Sequence, residues 1–282
     1  MASILQLKRR ILAAQNVSKT TKAMQMIAAS KLKRAQDATL FGRPYVEKLT
    51  SLSQNLTLKT SEKYKHPYIE KKNSYQNTLL LIFSPDKGLC GGLVSNLTRT
   101  LLMENQKKET RFYLTVGKKI EGIASRLGKE VIASFKFGTT LPPFDVVFPI
   151  AKIIDEYFLG KRVDRVAVLT SSFLSVFSQK ALITTLLPIE LPKTELNETF
   201  TLFDPTPQVL LPTIFKHYLE MSLYQHLLES YASEQAARMV AMRNATDNAL
   251  DIASDLRLAY NKERQEKITN EILDIGGSGL QI

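Results

Sequence analysis

A chain of 282 residues with 44% hydrophobic content has the length and apolar fraction for one or two domains with a buried core, which excludes intrinsic disorder. Its one cysteine, Cys90, has no internal disulfide partner, and its longest apolar runs, such as Thr78 to Phe83, are far too short to cross a bilayer. The net charge of +11 points to an anionic partner: nucleic acid, a membrane surface or an acidic protein face.

From Met1 to Phe41 there is neither glycine nor proline, and eight Lys or Arg face a single acid, Asp37. Ile4, Leu7, Ile11, Ala14, Ser18, Thr21, Gln25, Ala28, Leu32 and Ala35 recur three and four apart, which predicts a long helix whose seam is small and partly polar in its middle. Gly42 and Pro44 interrupt a pattern that resumes at Leu49, Leu52 and Leu56, so a kink is expected there and not a stop. An acid-poor, basic start also fits a mitochondrial presequence, but it is not Arg-rich and the helical pattern runs on past usual presequence length. The segment 59–75, polar and basic, reads as a linker between the N-terminal helix (1–58) and a central domain.

Residues 76–205 alternate strand and helix. Thr78 to Ser84 is a continuous apolar run of the kind found in buried parallel strands, and a glycine-bearing turn, 84–92, comes after it. Helix is expected over Leu93 to Lys108, Lys118 to Leu127 and Phe144 to Leu159. Strand is expected over Arg111 to Val116, Val131 to Phe135 and Val163 to Thr170, with a further one over Val176 to Leu187. This alternation predicts a Rossmann-like parallel α/β sheet with right-handed crossovers. Pro188, Pro192, Pro205, Pro207 and Pro212 then punctuate the approach to the last segment, 206–282.

Thr213 to Ile275 holds 63 residues without glycine or proline, and as one helix would run roughly 95 Å, too long to bury in its own chain's core. Met239, Met242, Thr246, Ala249, Ala253, Leu256 and Tyr260 form a heptad seam, which calls for a partner helix. An apolar stripe resumes, offset, at Ile268, Ile272 and Ile275. Seven bases against ten acids make this segment acidic where the N-terminal helix is basic, so the two ends of the chain favour each other over their own copies. The expected fold is α/β: a long antiparallel coiled coil of the terminal helices with an inserted Rossmann-like domain.

Chemistry is hard to find in this pattern. Gly88, Gly91 and Gly92 come after a strand as a phosphate-binding loop does, yet the spacing matches neither G-x-x-x-x-G-K-[ST] nor G-x-G-x-x-G, and a structural turn is the better reading. Cys90 and the three histidines, His66, His217 and His226, have neither the spacing of a metal site nor that of a Cys-His nucleophile. The basic helix lacks any aromatic before Phe41 to stack on a base, which favours a partner-facing or solvated helix over nucleic-acid binding. No catalytic, cofactor or metal site is expected.

Three blocks carry a resemblance: 11–36 (ILAAQNVSKTTKAMQMIAASKLKRAQ), 84–97 (SPDKGLCGGLVSNL), and 218–275 with SEQAARMVAMRNATDNA and YNKERQEKITNEILDI. In this order, over almost the whole chain, they resemble the gamma subunit of the rotary F-type ATP synthase. The tail, 276–282, departs from the alanine-rich ending usual in that family. The resemblance implies a non-catalytic central-stalk rotor subunit, one copy per complex, which couples ion flow to ATP synthesis or hydrolysis by rotation and regulates ATPase activity and proton flow. Its implied partners are the ring of three alpha and three beta subunits, the epsilon subunit and the membrane c-ring, with no nucleic acid. By the same resemblance, Met24, Lys31, Arg34, Arg264, Gln265, Thr269 and Glu271 are expected to contact beta subunits, and Ile268, Ile272 and Ile275 to seat the tip in an apolar sleeve of the collar. The expected location is the cytoplasmic side of a bacterial inner membrane, peripheral to it.

Overall fold

The structure is a computed structural model that describes residues 4–59, 66–70, 75–106, 109–189 and 204–278. The elements in order are α1 (Ile4–Lys59), a 3-10 turn at Pro67–Ile69, β1 (Asn77–Phe83), α2 (Leu93–Asn105), β2 (Thr110–Val116) and α3 (Lys118–Arg126). They continue with β3 (Glu130–Phe135), a 3-10 turn at Phe144–Val146, α4 (Val147–Leu159), β4 (Arg165–Ser175), β5 (Ser178–Leu187) and α5 (Pro207–Ser278). Two compact units result: Met1–Ala28 with Arg238–Ile282, and Ala29–Ala237. Each long helix contributes to both.

Five strands form one sheet in the order β3-β2-β1-β4-β5. β1 is parallel to both β2 and β4, and β2 to β3, as the alternation of strand and helix predicts. The further strand expected over Val176 to Leu187, for which the sequence gives no direction, is β5, and it pairs antiparallel with β4. The reason is chain length: only Val176 and Phe177 separate the two strands, and two residues make a hairpin where a parallel crossover needs a dozen or more. Leu79 to Phe83 are all buried because β1 is covered on both faces. Leu80 and Ile82 pack with Tyr113, Ala167 and Leu169 against Leu93, Leu97 and Leu101 of α2 and Ile120 and Ala124 of α3. Each Leu or Ile so buried contributes about 1.5–3 kcal/mol. α4, reached by a crossover in the opposite sense, buries Val147, Ile150, Ala151, Ile154 and Phe158, one helical stripe.

In the first unit, all eight of the predicted α1 seam positions from Ile4 to Ala28 are buried or half-buried, as are all seven α5 positions from Met239 to Tyr260. The polar middle of the seam is internally satisfied in part: Thr21 Oγ1 and Thr246 Oγ1 lie 2.7 Å apart, and Thr246 Oγ1 also donates to Met242 O. In the second unit the same two helices run antiparallel. Tyr45 Oη is 2.7 Å from His217 Nε2, and Gln225 Nε2 donates to Thr39 O. Gly42 faces Gln225, whose Oε1 would lie 3.0 Å from an added Cβ, a tight contact that a shift of a few tenths of an ångström at the flexible end of the glutamine would relieve. Pro44 sits inside α1 without ending it. α5 begins six residues before Thr213, with Pro207 at its first position, where the missing N–H costs nothing, and Pro212 within the helix.

Candidate functional site

α5 changes character near Tyr260. Up to there one side is buried by α1; from Arg264 to Leu273 every residue is exposed or partly so, including Ile268 at 47% and Ile272 at 63%. Arg264, Gln265, Thr269 and Glu271 lie on this bare stretch. Thr269 Oγ1 donates to Gln265 O, and Glu271 pairs with Lys267 at 3.7 Å, an exposed i, i+4 bridge worth a few tenths of a kcal/mol. Arg264 has no ion pair among the described residues, so its guanidinium is available for a bidentate bond. Ile275 lies on the same helix, and its side chain is outside the described set.

On α1, Met24 is 39% exposed beside the buried seam and Arg34 is exposed. Lys31 is different: it is half-buried, and its ammonium donates to the backbone carbonyl of Thr139, in the loop after β3. Within the first unit, no hydrogen bond or ion pair among the described residues joins Met24 to the four polar candidates on α5.

The glycine turn is not built to hold a phosphate. In open α/β sheets ligands bind where the strand order reverses, here between β1 and β4, outside the carboxyl ends of the strands. α5 crosses that point: Ser233 Oγ donates to Ser171 O at 2.8 Å, Thr170 Oγ1 donates to His226 O, and Ala237 packs against the cluster of Leu80, Ile82 and Leu169. Within the turn, Asp86 faces inward. Its Oδ1 accepts from the Lys118 N–H at 3.0 Å and its Oδ2 from the Gly138 N–H at 2.8 Å. Cys90 is buried in the apolar cluster, where a thiol packs as a small hydrophobe.

The family model described as ATP synthase matches residues 3–279. Among curated proteins, the ATP synthase gamma chain of Dehalococcoides mccartyi strain CBDB1 is 40% identical over 289 residues, covering all of both chains, and that of Azoarcus sp. strain BH72 is 34% identical with the same coverage. The chain belongs to the ATP synthase gamma family. Among solved structures, the central stalk and c-ring of Tetrahymena thermophila mitochondrial ATP synthase contains a chain 27% identical, with a TM-score of 0.60 over 80% of this chain and 99% of that one. A chain of the Euglena gracilis mitochondrial ATP synthase, 18% identical, shares the fold at a TM-score of 0.68 over 98% of this chain and 93% of that one.

A gamma chain is the central stalk of ATP synthase and a non-catalytic subunit. Burial is the largest cause of the shifts at His226, Tyr68, Asp155 and Glu229 in this chain. Burial lowers the His226 imidazole to about 4, which keeps it neutral at neutral pH. Burial likewise raises both the Tyr68 hydroxyl and the Asp155 carboxyl, and Tyr68 Oη donates to Asp155 Oδ1, tying the 3-10 turn to α4. Glu229 is raised by burial, with Arg43 and Gln225 acting against the shift. Among the described residues of this gamma chain no group of three His, Cys, Asp or Glu side chains could hold a metal ion, and no helix is long and apolar enough to cross a membrane. Asp86, Thr139 and Tyr231, which the structure ties together, are not among the residues that the sequence pattern singles out. Asp86 had a visible signal, its place in a Pro-Asp-x-Gly turn; Thr139 acts through a carbonyl, which leaves no trace in a residue name.

Proposed function

We propose that this chain is the rotor shaft of a bacterial ATP synthase, present in one copy inside a ring of three alpha and three beta subunits, joined to epsilon and the c-ring, on the cytoplasmic side of the inner membrane. The observation that carries the reading is the bare end of α5, where ten consecutive helical residues, 264–273, are exposed with Ile268, Ile272 and Leu273 among them. Apolar side chains at that density on a helix call for a sleeve supplied by another protein. Ile268, Ile272 and Ile275 seat the tip in it. Met24, Lys31, Arg34, Arg264, Gln265, Thr269 and Glu271 meet the beta subunits.

Symmetry then supplies the mechanism. One asymmetric shaft in a threefold collar presents a different face to each of three equivalent sites, which therefore cannot share a conformation. Nucleotide affinity at each site shifts by the contacts made in one orientation and lost in the next, and rotation permutes the three states. Purification of the native complex with quantitative subunit stoichiometry tests this directly: one copy per three active sites is expected, and three copies would overturn the reading.

Met24→Lys places a charge on a contact surface where the native side chain is apolar. It is expected to leave the thermal stability of the free chain unchanged, since the position is partly exposed, while ion pumping per ATP hydrolysed falls by roughly half or more in the assembled complex. Pumping per ATP equal to that of the parent would remove Met24 from the contact surface.

A further inference from the structure

We propose that the loop after β3, residues 136–143, is the clamp through which the α/β sheet grips both long helices, with the carbonyl of Thr139 as the shared node. Lys31 Nζ of α1 and Tyr231 Oη of α5 both donate to Thr139 O, the latter at 3.3 Å. A carbonyl oxygen has two lone pairs, so one backbone atom can hold two helices at once. Tyr224, two turns earlier on α5, donates from its Oη to Pro142 O at 3.2 Å and takes the edge of Phe144 at 5.2 Å between centroids.

The other side of the loop is fixed to the sheet. Phe137, buried, stacks on Tyr231 at 6.2 Å and 19° and meets Phe83, the last residue of β1, edge-on at 6.4 Å. Gly138 takes a φ of +85°, a conformation that suits glycine, and its N–H donates to Asp86 Oδ2 while Asp86 Oδ1 accepts from the first residue of α3. Asp86 thus locks the loop to the turn after β1 and to the start of α3. α5 also meets β4 directly, through Ser233 to Ser171 and Thr170 to His226; the Thr139 carbonyl, bonded from both sides, brings α1 into the same grip and resists sliding of either helix in a defined direction. Lys31, Tyr231 and Asp86 are positioning residues in this scheme. It rests on the shaft reading in one respect only, that part of the force passing between the sheet and the helices goes through this loop, beside the direct contacts of α5 with β4.

The test has two arms. In the free full-length chain, hydrogen exchange at residues 137–142 is expected to quicken about tenfold in Tyr231→Phe, Asp86→Asn and Lys31→Met, the change that one lost hydrogen bond implies for local opening, with β1 and β4 unaffected and Lys31→Arg restoring the parent rate. Unchanged exchange in all three variants overturns the clamp, whatever the chain's function. In the assembled complex, Tyr231→Phe and Asp86→Asn should keep the parent's ATP hydrolysis rate and single-copy stoichiometry, while the angular variance of a probe attached to the α/β domain at least doubles about a locked collar. Parent-like variance overturns the force path; loss of the single-copy stoichiometry in the parent itself overturns the shaft reading instead.

Discussion

Gly117→Ala is expected to destabilise the α/β sheet by about 4–5 kcal/mol, the upper range for a single substitution. Gly117, between the end of β2 and the start of α3, has a φ of +105°, a conformation that L-residues rarely adopt, and an ideal Cβ there would lie 1.7 Å from the backbone oxygen of Ser84. Neither chain can yield. Ser84 N donates to Val116 O at 2.8 Å, Ser84 Oγ to Gly117 O at 3.0 Å, and Gly117 N to Phe135 O at 2.8 Å, so the strand ends of β1, β2 and β3 are bonded through this one point. Urea unfolding of the full chain, followed by a probe in the sheet, reads the loss. Gly88→Ala is the control: its Cβ would meet only the end of the Lys119 side chain, at 3.8 Å, and the expected change is within about 0.5 kcal/mol. A Gly117→Ala midpoint close to that of Gly88→Ala would refute the close-approach argument.

That contrast shows what a sequence reveals about this fold and what it hides. The glycines of the first turn, Gly88, Gly91 and Gly92, draw the eye. Yet a Cβ at Gly92 meets nothing within 4 Å, and a non-glycine, Leu89, takes a φ of 63° in the same turn. Gly117 stands alone between a valine and a lysine, and what makes it irreplaceable is the end of another strand, at Ser84. Features set by period are legible: the α1 seam through Ser18, Thr21 and Gln25 stands out despite its polarity, because a three-four spacing survives substitution by small polar residues. The direction of β5 is not, because apolar content says nothing of strand polarity and the short Val176–Phe177 connection is absorbed into the strand. For the candidate site, the offset stripe Ile268–Ile272 was visible as a pattern, and the structure shows it exposed. The bond from Lys31 to Thr139 was out of reach, since no side chain marks the acceptor.

Arg111→Met is expected to cost about 3–5 kcal/mol, and Arg111→Met combined with Glu104→Gln and Glu109→Gln about 1–2 kcal/mol or less. Arg111 is 2% exposed, among the largest of the fully buried side chains, at the start of β2. Its Nη2 lies 3.3 Å from both Glu104 Oε1 and Glu109 Oε2, and its Nη1 donates to the Glu104 carbonyl in the last turn of α2, where a cation also meets the negative end of the helix dipole. Glu109 Oε2 further accepts from Thr78 Oγ1 at 3.1 Å, which carries the network to β1. Removing the guanidinium alone leaves two carboxylates, 13% and 22% exposed, facing each other without a cation. Removing all three charges leaves neutral amides that can still bond to Thr78 and to each other, so most of the penalty should vanish although the ion pairs are gone. The measurement is the thermal midpoint of the single and the triple variants, taken at low and high salt. A network that acts by mutual compensation predicts a triple variant more stable than the single at both; a single variant already as stable as the triple would mean that Arg111 contributes packing alone.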